Sequence, residues 1–271
     1  MSPRSKSTKK ARLIVADIGT TKPPAETIEL RSGLAKFVRQ PLSLFINDPP
    51  LDKKQRSISV GAVKWGVYAF FDYDGEPIYV GQTRESLSSR IGRHLTNQRT
   101  DAVAMSVLDP FEVCTIKVWP LPEYQDVKGD PKKVPAARAA ADHLNALERT
   151  VFLDLLRESE FGILNEKDPP EVATCEAPRP IEGQIIGEAV RRARQHPDVR
   201  IARRAQTIAR LAQIIAGREV AGGLRRALST QAERLSWIAT ERFEALGGQR
   251  LVETRAPDEP SEIDVDPDEE S

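Results

Sequence analysis

The sequence predicts an α+β fold in which short strands are flanked by helices, followed by a mainly helical C-terminal region. Two strand-like segments, 65–72 and 76–81, flank the dipeptide Asp74-Gly75, and this arrangement is a strong hairpin signal. A third segment, 111–119, alternates in the manner of a strand. Helical spacing of apolar residues recurs around these strands and through residues 183–250, which predicts the helical part of the fold.

The N-terminal part of the chain is weakly determined. Five cations precede the first acid, which predicts a flexible basic arm over residues 1–12: Arg4, Lys6, Lys9, Lys10 and Arg12. Beyond the arm, residues 13–60 form a region of uncertain structure. A short strand is expected within 11–18 and a helix within 28–45, before the prolines at 49 and 50 end the region.

The elements that follow the hairpin are better defined. Residues 85–95 carry apolar side chains at helical spacing, and Thr83 or Ser86 is available to cap this helix. The third strand places alternate residues on opposite faces, with Val113, Thr115 and Lys117 on one and Cys114, Ile116 and Val118 on the other. Several prolines and a Gly-Asp pair make residues 120–135 a loop.

The next helix, predicted over residues 136–159, contains an unusual carboxylate. Glu148 falls within the buried stripe formed by Leu144, Val151 and Leu155. Burying an unpaired charge costs several kcal/mol or shifts its pKa, so we expect Glu148 to be ion-paired or metal-bound. The side chains that could converge on it lie at five positions: Tyr68, Tyr79, Arg90, His94 and Asn165.

Charge is segregated along the rest of the chain although the formal net charge is zero. Residues 161–165 close the α+β unit, and residues 168–182 form a proline-rich linker. The helical region 183–250, interrupted at Gly222-Gly223, has 13 arginines and 6 acids, a net charge of +7, whereas the tail 251–271 has a net charge of −8 and should be disordered. Basic blocks suggest a polyanionic partner, and solvated charge is the alternative.

Composition excludes several classes of protein. Apolar residues make up 39% of the chain, so part of it should lie outside a compact core. The two cysteines form no CxxC pair, which argues against a disulfide framework or a thiolate metal site. No apolar signal segment or run of roughly 18 apolar residues is present. We expect a soluble, intracellular protein of the cytoplasm with no membrane partner; its oligomeric state is not indicated.

Three sequence pieces together resemble the signature of the GIY-YIG nuclease superfamily. They are Gly66-Val67-Tyr68, Tyr79-Val80-Gly81-Gln82-Thr83 and the stretch from Leu87 to His94, followed by Glu148 and Asn165. The resemblance covers residues 63–167 and identifies 61–167 as a nuclease-like domain. It implies a three-stranded antiparallel sheet flanked by helices, and hydrolysis of nucleic-acid phosphodiesters with one divalent metal ion, Mg²⁺ or Mn²⁺.

The resemblance also implies a role for most of the candidate residues. Glu148 corresponds to the metal ligand, and Arg90 to a guanidinium that offsets charge on the scissile phosphate. Tyr68 would activate the attacking water, and Tyr79 would position the nucleophile or the phosphate. A free phenol ionises near pH 10, so a basic tyrosine needs help from a nearby cation or metal-bound water.

The two remaining residues have less defined roles. His94, four residues after Arg90, could relay a proton or hold a phosphate, and Asn165 would hold the geometry of the site by hydrogen bonding. The structural alternatives are a Glu148 ion-paired to Arg90 or Arg149, tyrosines that only pack, a surface histidine and an asparagine that caps a turn.

The predicted function is therefore a metal-dependent endonuclease that hydrolyses DNA by attack of water. The alternative is a non-catalytic nucleic-acid-binding or assembly protein on the same scaffold. From charge alone, residues 183–250 are expected to supply affinity for duplex DNA.

Overall fold

The computed structural model describes residues 25–47, 50–95 and 107–249. The helices and strands in these ranges are α1 Ala25–Val38, α2 Lys53–Arg56, β1 Gly66–Phe71, β2 Pro77–Thr83, α3 Leu87–Leu95, β3 Thr115–Pro120, α4 Pro135–Glu158, β4 Ile181–Gln184, α5 Glu188–Arg194, α6 Pro197–Gly217 and α7 Gly222–Ala245. The predicted arm, the strand within 11–18 and the acidic tail lie outside the described residues. Among the helices described, none combines the length and apolarity needed to cross a membrane.

The predicted hairpin is confirmed. Strands β1 and β2 pair in antiparallel register, with Tyr68 opposite Gly81 and Phe70 opposite Tyr79. Gly75 turns the chain at a φ of 84°, a conformation that favours glycine because it has no Cβ. The carboxylate of Asp72 accepts hydrogen bonds from the backbone N–H groups of both Asp74 and Glu76, which fixes the turn from inside.

The sheet has four antiparallel strands in the order β2-β1-β3-β4, so the expectation of three strands was wrong by one. The additional strand pairs with the outer edge of β3, with Ile181 opposite Val118 and Gln184 opposite Thr115. It covers an edge that would otherwise expose unpaired backbone groups. Because β4 has only four residues and follows a proline-rich segment, its sequence carries little alternation for a prediction to use.

The sheet is covered by helices on both faces, and every residue of β1 is buried. Tyr68 and Phe70 belong to a core cluster that includes residues of α1, α3, α6 and α7. Val67, Ala69 and Phe71 belong to a second cluster with α4. Side chains alternate along a strand, so the two clusters lie on opposite faces of the sheet.

Except for α2, which was not predicted, the helices agree with the predicted elements apart from their exact ends. Helix α3 buries Leu87, Ile91 and Leu95, the three apolar residues whose spacing predicted it. Helix α4 spans the expected segment, and α1 lies within the predicted N-terminal region. The interruption expected at Gly222-Gly223 falls just before it, because this pair begins α7.

The arginine-rich helices are joined to the sheet by buried charge. Asp72, at the end of β1, is 4% exposed and lies within 3.4 Å of guanidinium nitrogens from Arg200, Arg204 and Arg234. Glu112 accepts a hydrogen bond of 2.8 Å from Arg204. Burial raises the pKa of both Asp72 and Glu112, and the arginine charges oppose this rise. The ion pairs of these arginines therefore connect the C-terminal helices to the hairpin.

Candidate active site

Two tyrosines lie side by side on the paired strands β1 and β2. Their ring centroids are 6.1 Å apart, and strand alternation places both rings on the face that carries α3. Gly81 lies between them without a side chain. A Cβ at this position would lie 2.8 Å from the Tyr68 hydroxyl and 2.9 Å from the Tyr79 ring, so the close approach of the phenols requires glycine here.

Helix α3 brings two further side chains to the tyrosines. The His94 ring centroid lies 4.9 Å from that of Tyr79 and 5.8 Å from that of Tyr68. Arg90 lies one helical turn before His94 and interacts with both phenols. Burial lowers the pKa of Arg90, but Tyr68, Tyr79 and Glu148 raise it, and the net shift is upward. The buried Nε of Arg90 donates to no acceptor in the described part of the chain.

The environment of Tyr68 favours its neutral form. The side chain is fully buried, and burial raises the pKa of the phenol well above its ordinary value of 10.0. The neighbouring phenol of Tyr79 adds to this rise, whereas the positive charge of Arg90 opposes it. Arg90 is thus a cation beside this phenol, and its charge favours the ionised form.

Glu148 approaches from α4, on the other face of the sheet. Its side chain is 8% exposed, and its Oε2 accepts a hydrogen bond of 2.9 Å from Gln82 Nε2. Burial raises the pKa of Glu148 from 4.5 to about 7, although the hydrogen bonds from Gln82 and the charges of Arg90 and Arg84 lower it. The shift is the one expected of a carboxylate that burial desolvates without a close ionic partner.

The site therefore wraps around the edge strand β2. Tyr79 and Gly81 face α3, whereas Val80 and Gln82 face α4, because successive side chains of a strand point to opposite faces. Arg90 and Glu148 nevertheless influence each other's pKa across this edge. The structural alternative, an ion pair of Glu148 with Arg90 or Arg149, does not form among the described residues.

Asn165 holds the outer edge of β2. Its Oδ1 accepts a hydrogen bond of 3.0 Å from the Val80 N–H, and its Nδ2 donates one of 2.9 Å to the Val80 carbonyl. The adjacent N–H of Leu164 donates to the carbonyl of Ile78. Asn165 thus sits on the backbone of β2, where it orients the strand that carries Tyr79 and Gly81.

The residues present are suited to a hard divalent cation. The described residues contain no group of three or more His, Cys, Asp and Glu side chains that could hold a metal ion. Mg²⁺ keeps several waters and is often held by only one or two carboxylates, so Glu148 alone is a sufficient protein anchor. A second oxygen is available beside it: Gln82 Oε1 is buried and accepts no hydrogen bond from any described residue.

Sequence reasoning missed Gln82. Its Nε2 donates to Asn145 Oδ1 at 2.9 Å as well as to Glu148, and these two bonds fix which end of the amide carries the oxygen. The alternation of side chains along β2 could have identified Gln82. Because Gln82 lies two residues after Val80, both side chains point to the face of the sheet that meets α4.

Two cavities of the described structure lie elsewhere. One of about 340 Å³ is bordered by Tyr73 and Arg200, and one of about 170 Å³ by Phe111 and Arg203. Both are bordered by helix α6, and neither is lined by a predicted site residue. The candidate site is thus built at a strand edge and not within either of these cavities.

The comparison with known families agrees with the resemblance in the sequence. The model of the GIY-YIG catalytic domain matches residues 64–126, less than a quarter of the chain. This interval contains Tyr68, Tyr79, Arg90 and His94 but ends before Glu148 and Asn165. No curated protein and no solved structure matches the chain.

Proposed function

We propose, from the match of residues 64–126 to the GIY-YIG catalytic domain, that this protein is a metal-dependent endonuclease that hydrolyses DNA. The observation that supports this most is the grouping of two phenols, one guanidinium and one buried carboxylate around a single strand edge. Phenols, guanidinium and carboxylate supply the water contact, the phosphate contact and the cation ligand that phosphodiester hydrolysis needs.

Arg90 binds the scissile phosphate in this proposal. Its planar guanidinium can bond two phosphate oxygens, and the buried Nε has no described acceptor that would compete. As water attacks phosphorus, negative charge grows on the oxygens, and a cation held beside them stabilises the transition state. Tyr79 and His94, whose ring centroids lie 4.9 Å apart, border the same place and position the phosphate.

Tyr68 orients the attacking water, and it accepts the proton of that water either in its ionised form or while it passes its own hydroxyl proton on through a relay. Burial keeps this phenol neutral at physiological pH, and the charge of Arg90 is what makes its ionised form less unfavourable. Arg90 therefore acts on both the phosphate and the base. No covalent intermediate with the protein is required.

Glu148 and Gln82 hold the cation, which we propose to be a single Mg²⁺ or Mn²⁺ ion. When bound, such an ion would supply positive charge to the phosphate oxygens and to the leaving group. Glu148 must be ionised to bind it, and with a pKa of about 7 this carboxylate is half protonated near neutral pH. The amide of Gln82 keeps the carboxylate oriented by its hydrogen bond.

The test is cleavage of supercoiled, linear, branched and single-stranded DNA by the purified full-length protein. Nicking of duplex DNA is expected with Mg²⁺ or Mn²⁺ and is abolished by EDTA. Cleavage that persists in EDTA would contradict the metal requirement. Binding of DNA without cleavage under any of these conditions would support a non-catalytic nucleic-acid-binding protein instead.

A further inference from the structure

The arginine-rich helices offer fewer free cations than their composition suggests. Of the described arginines between residues 183 and 249, eight form ion pairs with acids of the same chain: Arg191, Arg192, Arg200, Arg203, Arg204, Arg226, Arg234 and Arg242. Arg194 is buried against the ring of Phe111, with 4.3 Å from its guanidinium carbon to the ring centroid. Most of this charge is therefore neutralised within the protein.

A second basic surface lies outside the arginine-rich helices and consists mainly of lysines. We call it the lysine face, and its members are Lys53, Lys54, Arg56, Lys64, Lys128, Lys132, Lys133 and Arg138. All are exposed except Lys64, which is half-buried. Within the described residues, Lys54 is the member that forms an ion pair, and its partner is Asp126.

Contacts between α2, the segment before β1 and the loop after β3 bring these cations together. The side chain of Gln125 accepts a hydrogen bond from the Lys64 N–H and donates one to the Ala62 carbonyl. Three of the cations lower the pKa of the Asp126 carboxyl. Lys54 has the largest effect, through its hydrogen bond and its charge, and the charges of Lys64 and Lys128 add to it. The lysines thus form one positively charged region drawn from three separate segments.

The lysine face is continuous with the candidate active site. Lys64 precedes Trp65, and the guanidinium carbon of the exposed Arg84 lies 5.9 Å from the centroid of the Trp65 ring. The charge of Arg84 also acts on Glu148, whose pKa it lowers. Lys64, next to Trp65, and Arg84, beside the Trp65 ring, thus connect the lysine face to the carboxylate at the edge of β2.

We propose that the lysine face binds the phosphate backbone of duplex DNA beside the bond that is cut, and that the arginine-rich helices serve mainly to brace the fold. This inference rests on the proposed function. Lysine ammonium groups on flexible stems contact phosphates as point charges and read no sequence, so the surface positions the duplex without specifying a site. A duplex lying here would extend from the strand edge across α2 and the loop after β3.

The experiment compares two triple variants of the full-length protein that remove the same amount of charge. One carries Lys64→Gln, Lys128→Gln and Lys132→Gln. The control carries Arg210→Gln, Arg218→Gln and Arg225→Gln, three exposed arginines that form no ion pair among the described residues. Binding to a labelled random-sequence duplex is measured in EDTA over a series of salt concentrations, after circular dichroism has shown that both variants are folded.

The lysine variant should bind roughly tenfold or more weakly at low salt, and its plot of log affinity against log salt should be shallower by about 0.9 for each phosphate that the protein no longer neutralises. The arginine variant should stay within roughly twofold of the parent protein. An equal weakening in both variants, a weakening in the arginine variant alone, or no DNA binding by the parent would each overturn the assignment. Because binding is measured without metal, this result is independent of whether the protein cleaves DNA.

Discussion

At the scale of single residues, the candidate site is built from groups held in environments that oppose their ionised forms. Burial raises the pKa of Glu148 to about 7 and that of Tyr68 well above 10.0. Arg90 is a cation near both, and it acts on each of them from α3. A site of this kind is less stable without its ligands than an apolar core would be, which is common where chemistry requires perturbed groups.

The stability of the metal-free protein should therefore depend on the protonation of Glu148. The folded state binds this proton more tightly than the unfolded state, whose pKa is near 4.5. The proton on Glu148 therefore stabilises the folded state; this stabilisation is fully present below pH 4.5 and is lost as the pH rises to about 7. Glu148→Gln removes the titration, so in EDTA at pH 8 the variant should be more stable than the parent by about 3 kcal/mol.

Thermal or denaturant unfolding in EDTA at several pH values measures this difference. The exposed Glu158→Gln, on the same helix, is the matched control and should leave the pH profile unchanged. A Glu148→Gln variant that is destabilised at pH 8 would show that the carboxylate is satisfied in the folded protein and is no candidate for a metal ligand.

The phenol of Tyr68 should matter for cleavage but little for binding. Tyr68→Phe keeps the ring and removes only the hydroxyl, so we expect a fall in cleavage rate of about 100-fold or more with DNA affinity nearly unchanged. Tyr73→Phe is the control, because the Tyr73 hydroxyl donates to the Phe111 carbonyl away from the site. Single-turnover cleavage with saturating protein measures the rate; a rate within about twofold of the parent would remove Tyr68 from the proposed chemistry.

At the scale of elements, the edge strand β2 organises the site. It carries Tyr79 and Gly81 on one face and Gln82 on the other, and Asn165 occupies its outer backbone groups at Val80. A central strand could not serve in this way, because neighbouring strands would separate the groups on its two faces. The position of β2 at the edge allows a helix from each side of the sheet to contribute to one site.

How far the sequence predicted this arrangement depends on the range of the interactions involved. The hairpin and α3 were predictable because a glycine turn and apolar spacing are local signals. Glu148 was predictable as a buried carboxylate because it interrupts an apolar stripe. The pairing of β4 and the approach of Glu148 to Gln82 across the edge of β2 depend on contacts between segments distant in the chain, which local patterns do not encode.

The arginines show the same limit more sharply. Their spacing predicted helices correctly, but charge counts could not show that Arg200, Arg204 and Arg234 would converge on Asp72. Composition treats an arginine buried against a carboxylate and an arginine free to meet phosphate as equal. The distribution of charge over the folded surface separates the two.

The buried ion pairs of Asp72 with Arg200, Arg204 and Arg234 should make the largest contribution to the stability of the hairpin. Asp72→Ala would leave three buried guanidinium groups without this partner, and we expect a fall of about 3–5 kcal/mol in the free energy of unfolding. Asp74→Ala also removes an ion-pair partner of Arg200, but the side chain of Asp74 is 33% exposed. This substitution should therefore lower the free energy of unfolding by about 1 kcal/mol or less. Urea unfolding measures both changes, and equally small changes would show that the buried network contributes little.

At the scale of the whole molecule, the sheet and the C-terminal helices share one core. Leu211 of α6 and Leu224 of α7 pack in the same cluster as Tyr68, Phe70 and Ile185. The separation of a domain at 61–167 from a helical region at 183–250 by a linker thus remains a prediction from sequence. In the structure, residues from before and after the linker pack in the same core cluster.

The described part of the chain should consequently unfold as a single unit. Differential scanning calorimetry of the full-length protein should show one transition whose calorimetric and van't Hoff enthalpies agree. A chain truncated before Glu188 should lose that transition, since the truncation exposes the core surface covered by α6 and α7. Two separate transitions, or a truncated chain as stable as the parent, would show that the helices form an independent domain.

The central claim is that Glu148 anchors the cation on which DNA cleavage depends, and one measurement tests it most directly. Nicking of supercoiled plasmid in Mg²⁺ is compared between the parent protein and Glu148→Gln, each at a concentration that binds the same fraction of DNA. We expect the variant to bind DNA at least as well as the parent and to nick it at a rate reduced about 100-fold or more. Nicking by the variant at the parental rate would show that Glu148 does not anchor the cation.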